Sequence, residues 1–133
     1  MISQCNGTLE RLERGKEGRS MDGRLIELKA WGCNIDEVME RFLDDEEFYF
    51  ECYAQAMEDP CFSQLKEALE KHDIKRGFES AHTLKGLIAN LGLISLLHII
   101  SEIVEPLRAG TDEGLLDKYQ ELLKERDRYA KMV

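Results

Sequence analysis

Residues 79–97 read ESAHTLKGLIANLGLISLL, and the parsing of this stretch decides the fold. Leu84, Leu87, Ile88 and Leu91 recur at the three- and four-residue spacing that keeps side chains on one side of a helix. Asp73 offers an N-cap and Gly92 a residue that ends helices in a left-handed turn, so the spacing predicts a helix over 74–91. At about 100° per residue, Gly77, Ala81 and the four large apolar residues form its core side. Phe78, His82, Lys85, Gly86 and Ala89 lie opposite, with Leu93 just beyond. That second face is too polar for a core and too sparsely charged for an ordinary solvated one.

Outward from this helix the pattern stays helical. Asn34 and Glu37 form a capping-box pair that starts a helix carrying Ile35, Val38, Met39 and Phe42 on one face. The acidic run 44–47 either interrupts or recaps it before Tyr49, Phe50, Tyr53 and Met57 continue the stripe. Asp59-Pro60 places an N-cap before a proline at the first helical position, and Phe62, Leu65, Leu69 and His72 make the apolar edge that follows. Beyond Gly92, Leu93, Leu96, Leu97, Ile100, Val104 and Leu107 form a stripe closed by Gly110, with Pro106 in the last turn. Thr111 caps a final helix with Leu115, Tyr119, Leu122, Leu123 and Ala130 inward.

Four such segments joined by short connections predict an all-α fold: an antiparallel four-helix bundle with an additional N-terminal helix or helices across one end or side. Residues 1–22, which include all but the last residue of the glycine-rich and charged GKEGRSMDG run, are expected to be a flexible N-terminal arm with a short helix over 9–14. Residues 23–133 are the expected bundle, and Met21 is a candidate start of the working domain. A helix carrying Leu25, Ile26 and Leu28 should end at Trp31-Gly32.

Composition narrows the function. The 133-residue chain carries 27 acidic and 18 basic residues, a net charge of −9, with no basic stripe to follow a phosphate backbone, so nucleic acid is not the expected partner. No apolar run reaches the roughly 20 residues of a membrane span, and the N-terminus lacks a signal-peptide core, so a cytoplasmic protein that does not enter membranes is expected. Cys5, Cys33, Cys52 and Cys61 are widely spaced, without zinc-site companions, and read as reduced structural thiols.

Gly86 is the anomaly. A glycine inside a helix costs about 1 kcal/mol against alanine, and Gly86 is not at an end. Either it is simply tolerated, or a neighbouring helix crosses closely, or the absent side chain opens His82, one turn away, to a large partner. Neutral imidazole is a competent nucleophile near neutral pH, and a phosphoryl group placed on it carries negative charge that Lys85, three residues on, could screen. Phe78, Ala89 and Leu93 then read as a mildly apolar docking surface, with ordinary packing as the alternative for Phe78 and Leu93.

The stretch AHTLKGLIANLG, residues 81–92, closely resembles the H-x-L-K-G and L-G pattern of histidine-containing phosphotransfer (HPt) domains. RFLDDEEFYFECYAQAMEDPCFSQLKEALEKHD looks like the two helices that precede the site in such domains, and LISLLHIISEIVEPLRAG like the helix that follows. The match runs over residues 35–112 and extends toward the last helix. The resemblance implies that His82 is the phospho-acceptor, Lys85 its electrostatic support and Gly86 the residue permitting access. It further implies a two-component multistep phosphorelay in which a phosphoryl group moves between receiver-domain aspartates, or arrives from a sensor histidine kinase. Such domains hold no ATP site, and this chain has no phosphate-binding glycine loop. No cofactor is expected on the chain, with magnesium held by the partner receiver, and a monomer is the expected state.

Two other readings compete. Glu79 and His82 spell Glu-x-x-His, half of a di-iron helix motif, but neither His72 nor His98 has a glutamate three residues before it. A non-catalytic adaptor bundle would bind receiver domains without transfer, yet it has no physical need for His82, Lys85 and Gly86 together.

Overall fold

The computed structural model describes residues 22–133. The expected helix over 9–14, Cys5, the Met21 start and nearly all of the expected flexible arm lie outside the described residues. Among the described residues the fold is all-helical, with seven helices: α1 Gly23–Ala30, α2 Ile35–Arg41, α3 Glu46–Met57, α4 Cys61–Glu70, α5 Ile74–Leu91, α6 Ile94–Arg108 and α7 Leu115–Ala130. α4 packs on α5, α5 on α6 and α6 on α7, and α7 returns to α4 to close a four-membered ring. Short connections make successive members antiparallel. α3 lies against α5 and α7, and α1 packs on α2.

Local chemistry sets the helix ends. The Asp73 carboxylate accepts from the Arg76 N–H at 3.1 Å and starts α5. Asn34 accepts from the Glu37 N–H at 3.3 Å and donates to the Glu37 side chain at 3.1 Å, so the capping pair forms. The acidic run interrupts: Leu43 and Asp44 take positive φ, and Asp45 recaps α3 by accepting from Phe48. The Asp59 carboxylate accepts from the Cys61 N–H at 2.8 Å, so it caps α4 as expected, although the regular helix begins one residue after Pro60. Thr111 departs from expectation. Its hydroxyl accepts from the Glu113 N–H within a turn, and α7 begins only at Leu115, after Gly114 in a left-handed conformation.

The core is filled from all seven helices. Three buried tyrosines bind it together through their hydroxyls. Tyr49 donates to the Leu91 carbonyl at 2.8 Å, Tyr53 to the Tyr129 carbonyl at 2.6 Å, and Tyr119 to the Phe62 carbonyl at 2.7 Å. The first satisfies a carbonyl that the end of α5 leaves without a helical partner, and so moors the C-terminal end of that helix to α3.

Several apolar assignments shift, Leu123 and Ala130 among them, which are half-buried. His72 is not on the apolar edge of α4. The helix ends before it, the backbone there takes φ +56, and the exposed ring pairs with the Asp112 carboxylate at 2.9 Å. Leu87 and Leu97 are half-buried at the margin of the core, whereas Ser80 and Ile103 are buried.

Cys33 is buried, Cys52 and Cys61 are half-buried, and all three are free thiols. Burial, with the Asp59 carboxylate beside it, pushes the Cys61 thiol up to about 11 from 9.0. Less thiolate outweighs the greater nucleophilicity of the more basic sulfur, so alkylation of Cys61 at pH 8 is expected to run about tenfold slower than that of an unhindered thiol. Mass-spectrometric timing of iodoacetamide labelling checks this, and labelling at the free-thiol rate would contradict it.

Candidate functional site

α5 spans 18 residues, about 27 Å, and is held at both ends by the Asp73 cap and the Gly92 turn. One side of it, Gly77, Ser80, Ala81, Leu84, Ile88 and Leu91, is buried in the ring of helices. Gly77 is where neighbours come close: a Cβ there would sit 3.4 Å from a Leu107 methyl and 3.7 Å from the Ala68 Cβ. His82 lies at mid-helix on the opposite side, exposed, with Thr83, Gly86 and Ala89 also exposed.

The close helix crossing that was one alternative for Gly86 is absent. A Cβ built there meets nothing within 4 Å, so the glycine answers no packing demand inside this molecule. Lys85 is half-buried and, among the described residues, makes no hydrogen bond or ion pair. It stands three residues from His82 on the same helix, the spacing at which side chains can meet. The His82 ring makes no hydrogen bond among the described residues. Its one aromatic contact is Phe78, one turn earlier, with ring centroids 5.4 Å apart and planes inclined by 22°.

Phe78 is half-buried against the core and meets a second group, the Arg108 guanidinium, whose carbon lies 5.2 Å from the ring centroid. Arg108 also pairs with Glu105. It comes from the end of α6, far away in sequence, and helical arithmetic along α5 had no means of finding it. Leu93 corrects the expected docking surface. It is fully buried, because Gly92 takes φ +74 and the Leu93 N–H turns back to the Ile88 carbonyl, carrying the side chain inward rather than continuing the exposed face. Phe78 and Ala89 remain on the open side.

The other two histidines have different surroundings. His72 is tied to Asp112 at the α4–α5 turn. His98 is exposed on α6, and Glu102, one turn on, is engaged by Lys118 at 3.0 Å. His98 has no cation three residues away, and His72, which has Lys75 at that spacing, is itself engaged by Asp112. Among the described residues no group of three His, Cys, Asp or Glu side chains gathers where it could hold a metal ion, and Glu79 and His82 both face outward, away from the core a di-iron site would need. No helix among the described residues is long and apolar enough to cross a membrane.

The arrangement is therefore an accessible imidazole with an unpaired lysine three residues on and open space over the next turn, carried on a helix whose other side is locked in the core. Comparison with known families gives a match to the Hpt domain over residues 50–130, more than half of the chain. The matched span starts within α3 and runs to the end of α7, beginning later than the resemblance traced from residue 35 and taking in the last helix, to which that resemblance also extended. No curated protein and no solved structure matches the chain.

Proposed function

Since the chain belongs to the Hpt domain family, whose members carry phosphoryl groups in phosphorelays, we propose that it accepts a phosphoryl group on His82 from a receiver-domain aspartate and passes it to another receiver domain. The observation that carries this reading is the coincidence, on one outward face of α5, of an unbonded imidazole, an unpaired lysine and a glycine with empty space above it.

In the proposed transfer, the lone pair of an imidazole nitrogen attacks the phosphorus of the aspartyl phosphate. The acyl phosphate O–P bond breaks, the carboxylate leaves with its electron pair, and a ring proton passes to water. Lys85 stabilises the charge that gathers on the phosphoryl oxygens. Gly86 lets the partner bring its aspartate to bonding distance, and Phe78 and Ala89 offer it apolar surface. The magnesium ion that neutralises the aspartyl phosphate belongs to the receiver. In this role the chain is a monomeric carrier acting in the cytoplasm, with no ATP site of its own.

Incubation with a receiver carrying radiolabelled aspartyl phosphate tests the reading. The label should move to an adduct on this chain that is stable to base and labile to acid, and then to a second, unlabelled receiver. A chain that binds receivers yet never takes up label would favour the adaptor reading.

Lys85 has its own expected result. Lys85→Ala removes a partly exposed charge worth about 1 kcal/mol to the transfer, so the rate should fall about fivefold with the fold intact. The deficit should be largest at low ionic strength, because a screened lysine contributes less. Unchanged kinetics at low salt would reduce Lys85 to a surface charge.

A further inference from the structure

We propose that Phe78 is a positioning residue for the phosphoryl acceptor, its ring holding the His82 imidazole in one orientation with the nitrogens directed outward. The proposal rests on the reading of His82 as the acceptor and assigns a role to the contact that ring makes.

The geometry is specific about which part of the imidazole is occupied. With planes inclined by only 22° and centroids 5.4 Å apart the two rings lie nearly parallel and offset, so Phe78 borders a face of the imidazole rather than its edge. The lone pair that attacks phosphorus lies in the ring plane, at that edge. An edge-on contact would have hidden a nitrogen, whereas a stack leaves both open. The new N–P bond also forms in the plane, so the same stack survives phosphorylation. An exposed imidazole with no hydrogen bond otherwise exchanges rotamers on the picosecond-to-nanosecond timescale. Residues four apart on a helix are the pair that can meet in this way.

Phe78 is suited to the task because it is itself held. Its ring is half-buried against the core and engages Arg108 at 5.2 Å, and Arg108 is kept on the end of α6 by its pairing with Glu105. Rigidity thus passes from the bundle to the ring and from the ring to the nucleophile. A reacting group held ready needs less ordering at the moment of transfer.

The test must separate positioning from docking, and a small donor does so because it has no surface to dock. Phosphoramidate can phosphorylate an imidazole directly: the nitrogen lone pair attacks phosphorus, the P–N bond breaks, ammonia leaves, and the ring proton ends on that ammonia as ammonium. With the full chain, Phe78→Leu should lower the phosphoramidate rate by a few-fold to about tenfold, the range expected for losing one aromatic pair. It should also shift the His82 ring resonances in carbon–proton NMR spectra as the ring-current effect of the stack is lost. Phe78→Tyr, which keeps the ring, should restore both.

A Phe78→Leu variant with wild-type phosphoramidate kinetics and unmoved His82 resonances would overturn the proposal. That holds even if transfer from a receiver falls, since Phe78 would then serve docking alone. A wild-type chain unlabelled by both donors would overturn the acceptor assignment itself, and this inference with it.

Discussion

His82→Gln is expected to abolish formation of the acid-labile adduct, whether the donor is a phosphorylated receiver or phosphoramidate. Glutamine approximates the length and polarity of histidine but its amide nitrogen has no available lone pair, so nucleophilic capture of phosphorus stops. The fold should survive, because the side chain at this position is exposed and glutamine has the better helix propensity. Circular dichroism should therefore match the wild type while labelling falls to background. His72→Gln and His98→Gln are the matched controls and should label normally, the first losing only its pairing with Asp112. A phosphoryl adduct that persists in His82→Gln and disappears in either control would move the site to another helix. Such a result would leave Lys85 and Gly86 without a role.

Much of the bundle was legible in the sequence because its helix ends are written in short-range chemistry. Asp73 and Gly92 delimit α5 at the expected residues, since a cap needs only a carboxylate two or three positions ahead of a free N–H, and a left-handed stop needs only a missing Cβ. Extrapolation failed where the chain changes direction. Leu93 lay on the docking face only if α5 continued, and the Gly92 turn places it in the core instead. His72 seemed apolar-edged only if α4 continued, and the positive φ there swings it out to Asp112. Tyr129 escaped notice for another reason. It sits among charged residues, yet its hydroxyl is shared with Ser95 at 2.7 Å and its ring meets Trp31 edge-on, both contacts from distant segments.

The site divides in the same way. His82, Lys85 and Gly86 belong to one helix, so their common face follows from 100° steps. The pairing of Arg108 with Phe78 does not, because it depends on how α6 is set against α5. Nor could the sequence decide what Gly86 spares. Crowding by a neighbouring helix and room for an incoming partner would both account for glycine there, and only the empty space above it distinguishes them.

That space makes Gly86 the position where stability and transfer are expected to move in opposite directions. Gly86→Ala meets no atom within 4 Å, so it should gain the roughly 1 kcal/mol that alanine holds over glycine in a helix interior, read as a higher urea midpoint at constant m-value. Gly86→Gln should also stabilise, since glutamine is nearly as good a helix former. In transfer the two should part. A methyl group displaces an incoming receiver little, whereas a glutamine side chain one turn from His82 holds the partner's aspartate back, and a displacement near 1 Å in a group-transfer geometry can cost on the order of a hundredfold. Phosphoramidate, small enough to pass, should label both variants at close to the wild-type rate. Equal loss with receiver and phosphoramidate would show that Gly86 acts on the imidazole rather than on the approach to it. Normal receiver transfer by Gly86→Gln would leave the glycine merely tolerated, at a standing cost in stability that a natural alanine would have removed.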